Sequence, residues 1–195
     1  LILRDIILHY IKQALRYDKQ FTPFRMVSLE DFYTARFQIQ TPQKSFHINI
    51  GGKIDRVDEV DGVIRVIDYK TGKDKKAIKS LRELFWPEEA HKHHSPGMQV
   101  LLYGWLYQQK FPQDKEVMLG LYYFRSMFDD KYNPVLQMGA GRQKTPVVYD
   151  QVKEEYLQEL HDKLANLFDA DVPFTQTDDE QVCGTCPYAA ICHRN

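Results

Sequence analysis

Cysteine is scarce in this 195-residue sequence, and the three present are crowded into residues 183–192. That crowding excludes a disulfide framework, and we expect a reducing, cytoplasmic compartment. No apolar run approaches the roughly 18 residues of a membrane span, and no secretory leader is visible, so no membrane partner is expected. Neither sign of charge is in surplus: 26 Lys and Arg stand against 27 Asp and Glu, a formal charge of −1. Any nucleic-acid contact must therefore come from a local patch rather than from bulk attraction. Internal repeats and low-complexity segments are lacking. So is an initiating methionine; the chain opens at Leu1 on an apolar helical pattern, and we expect a piece cut from a longer polypeptide or a processed one. Hydrophobic residues make up 43% and charged residues 27%, the balance of an ordinary globular protein. The length fits one domain, residues 1–195, with room for a core.

The patterning that is present alternates between helical and strand periods. Residues 1–17 space Ile2, Leu3, Ile6, Ile7, Tyr10, Ile11, Leu15 and Tyr17 as an amphipathic helix does. Residues 29–40 turn towards strand in their second half. Phe46, Ile48, Ile50 and Ile54 alternate along one face of the next strand. The run Val63–Lys70 is β-branched and apolar enough for the middle of a sheet. A basic turn follows, then a helix over 95–111 with apolar residues on most sides, which predicts burial. Residues 116–127 read as a further strand and 149–170 as a long amphipathic helix. The order predicts an α/β fold, a mixed central sheet flanked by helices.

Strands disfavour aspartate, yet Asp55 and Asp68 fall inside two of them. Asp61-Gly62 is a strong hairpin signal that favours a two-residue type I′ turn. With that turn, Val60 faces Val63, Asp55 faces Asp68 and Lys53 faces Lys70. Directly opposed Cβ atoms lie about 4.5–5.5 Å apart, where two carboxylates repel. Lys70, two residues beyond Asp68, leaves the strand on the same face. One reading is a solvated cluster neutralised by Lys53, Arg56 and Lys70. The other is a site for a hard divalent cation, since Mg²⁺ takes a few carboxylate oxygens and completes its shell with waters and phosphates. A lysine beside such a site can orient an attacking water, and those parts suit metal-assisted phosphodiester hydrolysis. We favour the second.

These residues resemble the RecB-type branch of the PD-(D/E)XK nuclease superfamily, whose G-x-x-D-R-x-D and D-Y-K-T-G patterns are met by Gly52, Asp55, Arg56 and Asp58 and by Asp68 to Gly72. A further motif of that branch, Q-x-x-x-Y, is met by Gln99 and Tyr103, four apart on one helical face. The resemblance implies a restriction-endonuclease-like fold. It implies that Asp55, Asp68 and the backbone carbonyl of Tyr69 bind Mg²⁺ or Mn²⁺, and that Lys70 positions the water. Gln99 and Tyr103 would support the lysine and contact DNA. Lys73, Lys75 and Lys76, just beyond the site, are expected to meet phosphates, although a solvated charged loop is an equal reading. The branch usually has a further His or Glu ligand upstream. His9 is the only early histidine, and a surface role suits it better. The histidines of His91-Lys92-His93-His94 read as a loop rather than a metal site.

Cys183, Cys186 and Cys192 form C-x2-C-x5-C within a tail that we place at 172–195. Three thiols this close point to a metal rather than to core packing. AddB-type nuclease domains end similarly, and there an upstream cysteine completes a 4Fe–4S cluster. No fourth cysteine exists here, so it would come from outside the chain, or His193 would complete a zinc site; we prefer the first, with no cluster in this fragment. The resemblance thus implies the DNA-cleaving domain of an AddB/RecB-like helicase–exonuclease, acting in double-strand-break repair and recombination, with a helicase domain or subunit as partner. The alternatives are a stand-alone or Cas4-like exonuclease and a catalytically inactive DNA-binding module.

Overall fold

The computed structural model describes residues 2–88, 93–112, 115–184 and 186–193. A four-stranded mixed sheet forms its centre. Strand β1 (Arg25–Gln40) pairs antiparallel with β2 (Ser45–Val60), and β2 with β3 (Val63–Lys70). The latter hairpin turns on Asp61 and Gly62, both at positive φ (50° and 84°) as a type I′ turn demands, and Val60 faces Val63 as expected. Strand β5 (Val117–Tyr123) lies parallel to β3, which puts β3 inside the sheet.

Helices α2 (Leu81–Phe85), α3 (Ser95–Lys110) and α4 (Tyr149–Phe168) cover one face. Val57, Ile64, Val66, Leu119 and Leu121 of the strands meet Val100, Leu101 and Leu106 of α3 and Tyr149 and Tyr156 of α4 in one core. Gly104 permits the close approach: a Cβ there would stand 3.0 Å from Leu119 and 3.1 Å from Tyr149. The mixed sheet flanked by helices is the expected fold.

Helix α1 (Ile2–Asp18) covers the other face, over a smaller cluster of Ile67, Tyr122 and Met127. Its amphipathicity misleads. The contacts to the body come from His9, stacked on Phe128, from Tyr10, stacked on Phe124, and from Gln13, Ala14 and Tyr17. Leu3 and Leu15 stay 71% and 63% exposed. A second sheet was not legible in the sequence. Strands β4 (Ala77–Ile78), β6 (Gln137–Met138) and β7 (Thr145–Pro146) are two residues each, too short for any period to register. Helix α5 (Glu180–Cys183) is a single turn in the tail. No helix among the described residues is long and apolar enough to cross a membrane.

Candidate active site

The site forms where the β2–β3 ladder ends. Backbone pairing runs from Val60↔Val63 to Arg56↔Ile67. Beyond it the Asp55 side chain takes over, Oδ2 accepting the Tyr69 N–H at 2.8 Å. A carboxylate thus stands in for a ladder carbonyl, which explains an aspartate inside a strand. Across from Asp55 the edge strand is irregular: Glu30, between the partners of Arg56 and Ile54, has φ of 50° and pairs with Lys53 at 2.6 Å. Lys53 is therefore spent on Glu30.

Asp68, at 2% exposure, lies next to this carboxylate. Its Oδ2 is 2.6 Å from Lys70 Nζ, an oblique ion pair that leaves this buried oxygen without a well-aligned hydrogen bond. Burial pushes the Asp68 carboxyl up to about 6; Lys70 opposes the rise, and the charge of Asp55 adds to it. Lys70 also donates to Gln99 Oε1 at 2.8 Å, and Gln99 Nε2 donates to Tyr103 Oη at 2.6 Å. The ammonium is donor-only, so it fixes which end of the Gln99 amide faces it. One turn of α3 separates Gln99 from Tyr103 and aligns them on the face above the strand ends. The Tyr103 phenol is held above its ordinary range by burial; Gln99 offsets this, while the negative charges of Asp68 and Asp55 add to it.

Gly52 belongs to this constellation, for a reason the motif alone does not reveal. A Cβ at residue 52 would lie 2.7 Å from Tyr103 Cε1, so only glycine leaves the ring its place over β2.

The other two motif residues, Arg56 and Asp58, serve elsewhere. Arg56 does not neutralise the aspartates, contrary to the solvated-cluster reading. Successive strand residues point to opposite faces. Arg56 Nε bonds Asp58 Oδ2 at 2.5 Å, and its Nη1 bonds Asp18 Oδ2 of α1 at 2.5 Å and Tyr69 Oη at 3.2 Å. Arg65, facing Asp58 in the β2–β3 register, closes the group with Nε to Asp58 Oδ1 at 2.5 Å and Nη2 to Oδ2 at 2.8 Å. Phe21 and Phe24 lie against the two guanidinium groups. The hairpin register predicts the Asp58–Arg65 pair, so this signal was available in the sequence and missed.

Lys73, Lys75 and Lys76 follow the site on the loop before β4. Lys76 is paired with Asp74 at 3.1 Å and lies over the Tyr132 ring. Among the histidines, His94 caps α3, its Nδ1 accepting the Gly97 N–H at 3.0 Å, and His91 falls outside the described residues. The tail leaves the body beside the β1–β2 turn, where Gln43 Nε2 donates to Asp169 and Asp171 at 2.9 and 2.6 Å. Cys183, Cys186 and Cys192 are partly exposed and form no disulfide among the described residues. Among the described residues, no three His, Cys, Asp or Glu side chains gather as a metal site.

Comparison with known proteins agrees with this geometry. The family profile described as the PD-(D/E)XK nuclease superfamily matches residues 1–193. No curated protein matches. The crystal structure of SSO0001 is similar over 96% of this chain and 68% of its own, at 14% identity and a TM-score of 0.33, too loose a likeness to carry an argument.

Proposed function

Because the chain belongs to the PD-(D/E)XK nuclease superfamily, we propose that it is a metal-dependent deoxyribonuclease of the RecB-type branch, closest to the AddB-type domain. The observation that carries this reading is the continuous line Asp68–Lys70–Gln99–Tyr103 beside Asp55.

The donor set suits a hard divalent cation. Two adjacent carboxylates, one with a buried oxygen short of a good partner, leave the rest of an Mg²⁺ shell to waters and phosphates. Asp55, Asp68 and the Tyr69 carbonyl would hold it. A bound Mg²⁺ or Mn²⁺ stabilises charge on phosphate oxygens and acidifies water. The chain's own contribution centres on Lys70. An ammonium has three donors; one goes to Gln99, and the oblique ion pair with Asp68 occupies a second. The third is left for a water or a phosphate oxygen. Tyr103 holds Gln99, Gln99 holds the lysine, and the lysine presents that proton where negative charge grows in phosphodiester cleavage. Lys73 and Lys75 meet the strand's phosphates as positioning contacts, with Lys76 supporting them.

In this reading residues 1–195 are one nuclease domain, carried by a longer helicase–exonuclease that processes DNA breaks for repair and recombination. The tail from residue 172 supplies three thiolates of a 4Fe–4S cluster whose fourth comes from outside the chain. Taken alone, the three cysteines do not make that site.

The test is a cleavage assay of the chain on linear DNA with different ions. Mg²⁺ and Mn²⁺ should support cleavage, and Ca²⁺ should bind without turnover because it accepts looser geometry. Equal cleavage in excess chelator would remove the metal from the account.

A further inference from the structure

Beside the proposed catalytic residues lies a recess of about 350 Å³ whose lining includes Asp74, Lys75, Lys76, His94, Gln137 and Lys144. Three distant stretches of chain build it, and the small second sheet binds two of them together. Gln137 N–H donates to the Lys76 carbonyl at 2.8 Å, Gly139 N–H to the Ile78 carbonyl at 3.0 Å, and β7 pairs with β6 directly after Lys144. The third is the capping turn of α3. His94 Nδ1 accepts the Gly97 N–H, which leaves the ring proton on Nε2; Nε2 is buried without a hydrogen bond of good geometry, and the Lys75 backbone lies beside the ring.

The charge of this recess departs from that of the chain. Three lysines face one aspartate in a protein whose formal charge is −1. Lys76 is paired with Asp74, whereas Lys75 and Lys144 form no ion pair among the described residues. Uncommitted cations on a concave wall, with an amide beside them, are what an oxyanion requires. The recess also adjoins the catalytic residues. Tyr123 faces Lys70 in the β3–β5 register. Its phenol is raised to about 12 by burial, against a contact with the Lys75 backbone, and is raised further by the charges of both Asp74 and Asp68.

We propose that this recess binds a terminal phosphomonoester of the DNA strand, so that the enzyme reads a phosphorylated end. The inference rests on the nuclease reading of the neighbouring residues. An internal phosphodiester carries one charge, and the chain departs from it on two sides. A terminal phosphate carries close to two charges and offers three free oxygens. A recess with two uncommitted lysines, a third beside its aspartate and an amide matches the second. Holding a strand end would suit the exonuclease reading.

The test measures binding of fluorescent single-stranded DNA carrying a 5′-phosphate, a 3′-phosphate or hydroxyls at both ends, by anisotropy in excess chelator so that nothing is cut. One phosphorylated end should bind about tenfold tighter than the hydroxyl strand, the worth of one charge-assisted hydrogen bond. The strand that gains tells which end is read. Lys144→Ala, at an exposed position, should bring that ratio near one, and Lys144→Arg should restore most of it. Equal affinity for all three strands, or a preference that survives Lys144→Ala, overturns the proposal. An end preference without Mg²⁺-dependent cleavage would sink the nuclease reading and leave the recess standing. Cleavage without an end preference would do the reverse.

Discussion

Asp68 carries its charge at a cost, because it is buried at the end of a strand. Burial pushes its carboxyl up to about 6, above the ordinary carboxylate value of 3.8, so the fold favours the protonated form. That contribution is fully present below pH 4 and is lost as pH rises through 6. At pH 7 without metal the ionised group costs on the order of 3 kcal/mol. Asp68→Asn should therefore stabilise the metal-free protein at pH 7 by about 1–3 kcal/mol, the lower end allowing for the lost Lys70 contact. The gain should vanish near pH 4. Urea denaturation in chelator at both pH values measures this, and an Asn variant no more stable at pH 7 would contradict the burial argument. Gly52 allows a second test. In Gly52→Ala the new methyl must push Tyr103 off its line, at a cost of about 1–3 kcal/mol. Because Tyr103 holds Gln99 and Gln99 holds Lys70, kcat should fall while DNA affinity stays within about twofold. A variant with unchanged kcat would show that the ring's place is irrelevant to the lysine.

Among the elements, the β2–β3 hairpin was the most legible. Asp61-Gly62 fixes the turn, the turn fixes the register, and the register brings Asp55, Asp68 and Lys70 together. What the register did not reveal is that the ladder stops at Arg56 and that Asp55 hydrogen-bonds across the gap. The period of α1 predicts an amphipathic helix but does not say which stripe meets the sheet. Aromatic stacking and the Asp18–Arg56 contact decide that, and both depend on partners more than 30 positions away. This contact makes a prediction about the element. Asp58 accepts from both Arg56 and Arg65 at 0% exposure. Asp58→Ala leaves two buried guanidinium groups short of a partner, and should cost about 3–5 kcal/mol. By contrast Lys53→Ala, breaking a pair whose side chains are 58% and 62% exposed, should cost no more than about 1 kcal/mol. Thermal denaturation separates them, and similar losses for both would contradict the network.

The whole molecule divides its tasks between the two faces of one sheet. The face under α3 and α4 carries the core and, at the strand ends, the carboxylates and Lys70. The other carries the Arg56–Asp58–Arg65 network that seats α1. A nearly neutral chain thereby keeps positive charge where a phosphate would arrive, on the loop after Lys70 and the wall bearing Lys144. The sequence made the first half of that wall legible as a run of lysines. Lys144 could not be found there, because two-residue strands bring it in from far along the chain. The central claim is that Lys70 acts in the chemical step of metal-dependent DNA cleavage. The most direct measurement is single-turnover cleavage of DNA by Lys70→Ala with saturating Mg²⁺, with DNA affinity measured alongside in Ca²⁺. The account predicts a rate at least about a hundredfold lower with DNA affinity nearly kept. Cleavage by that variant at the undiminished rate would contradict it.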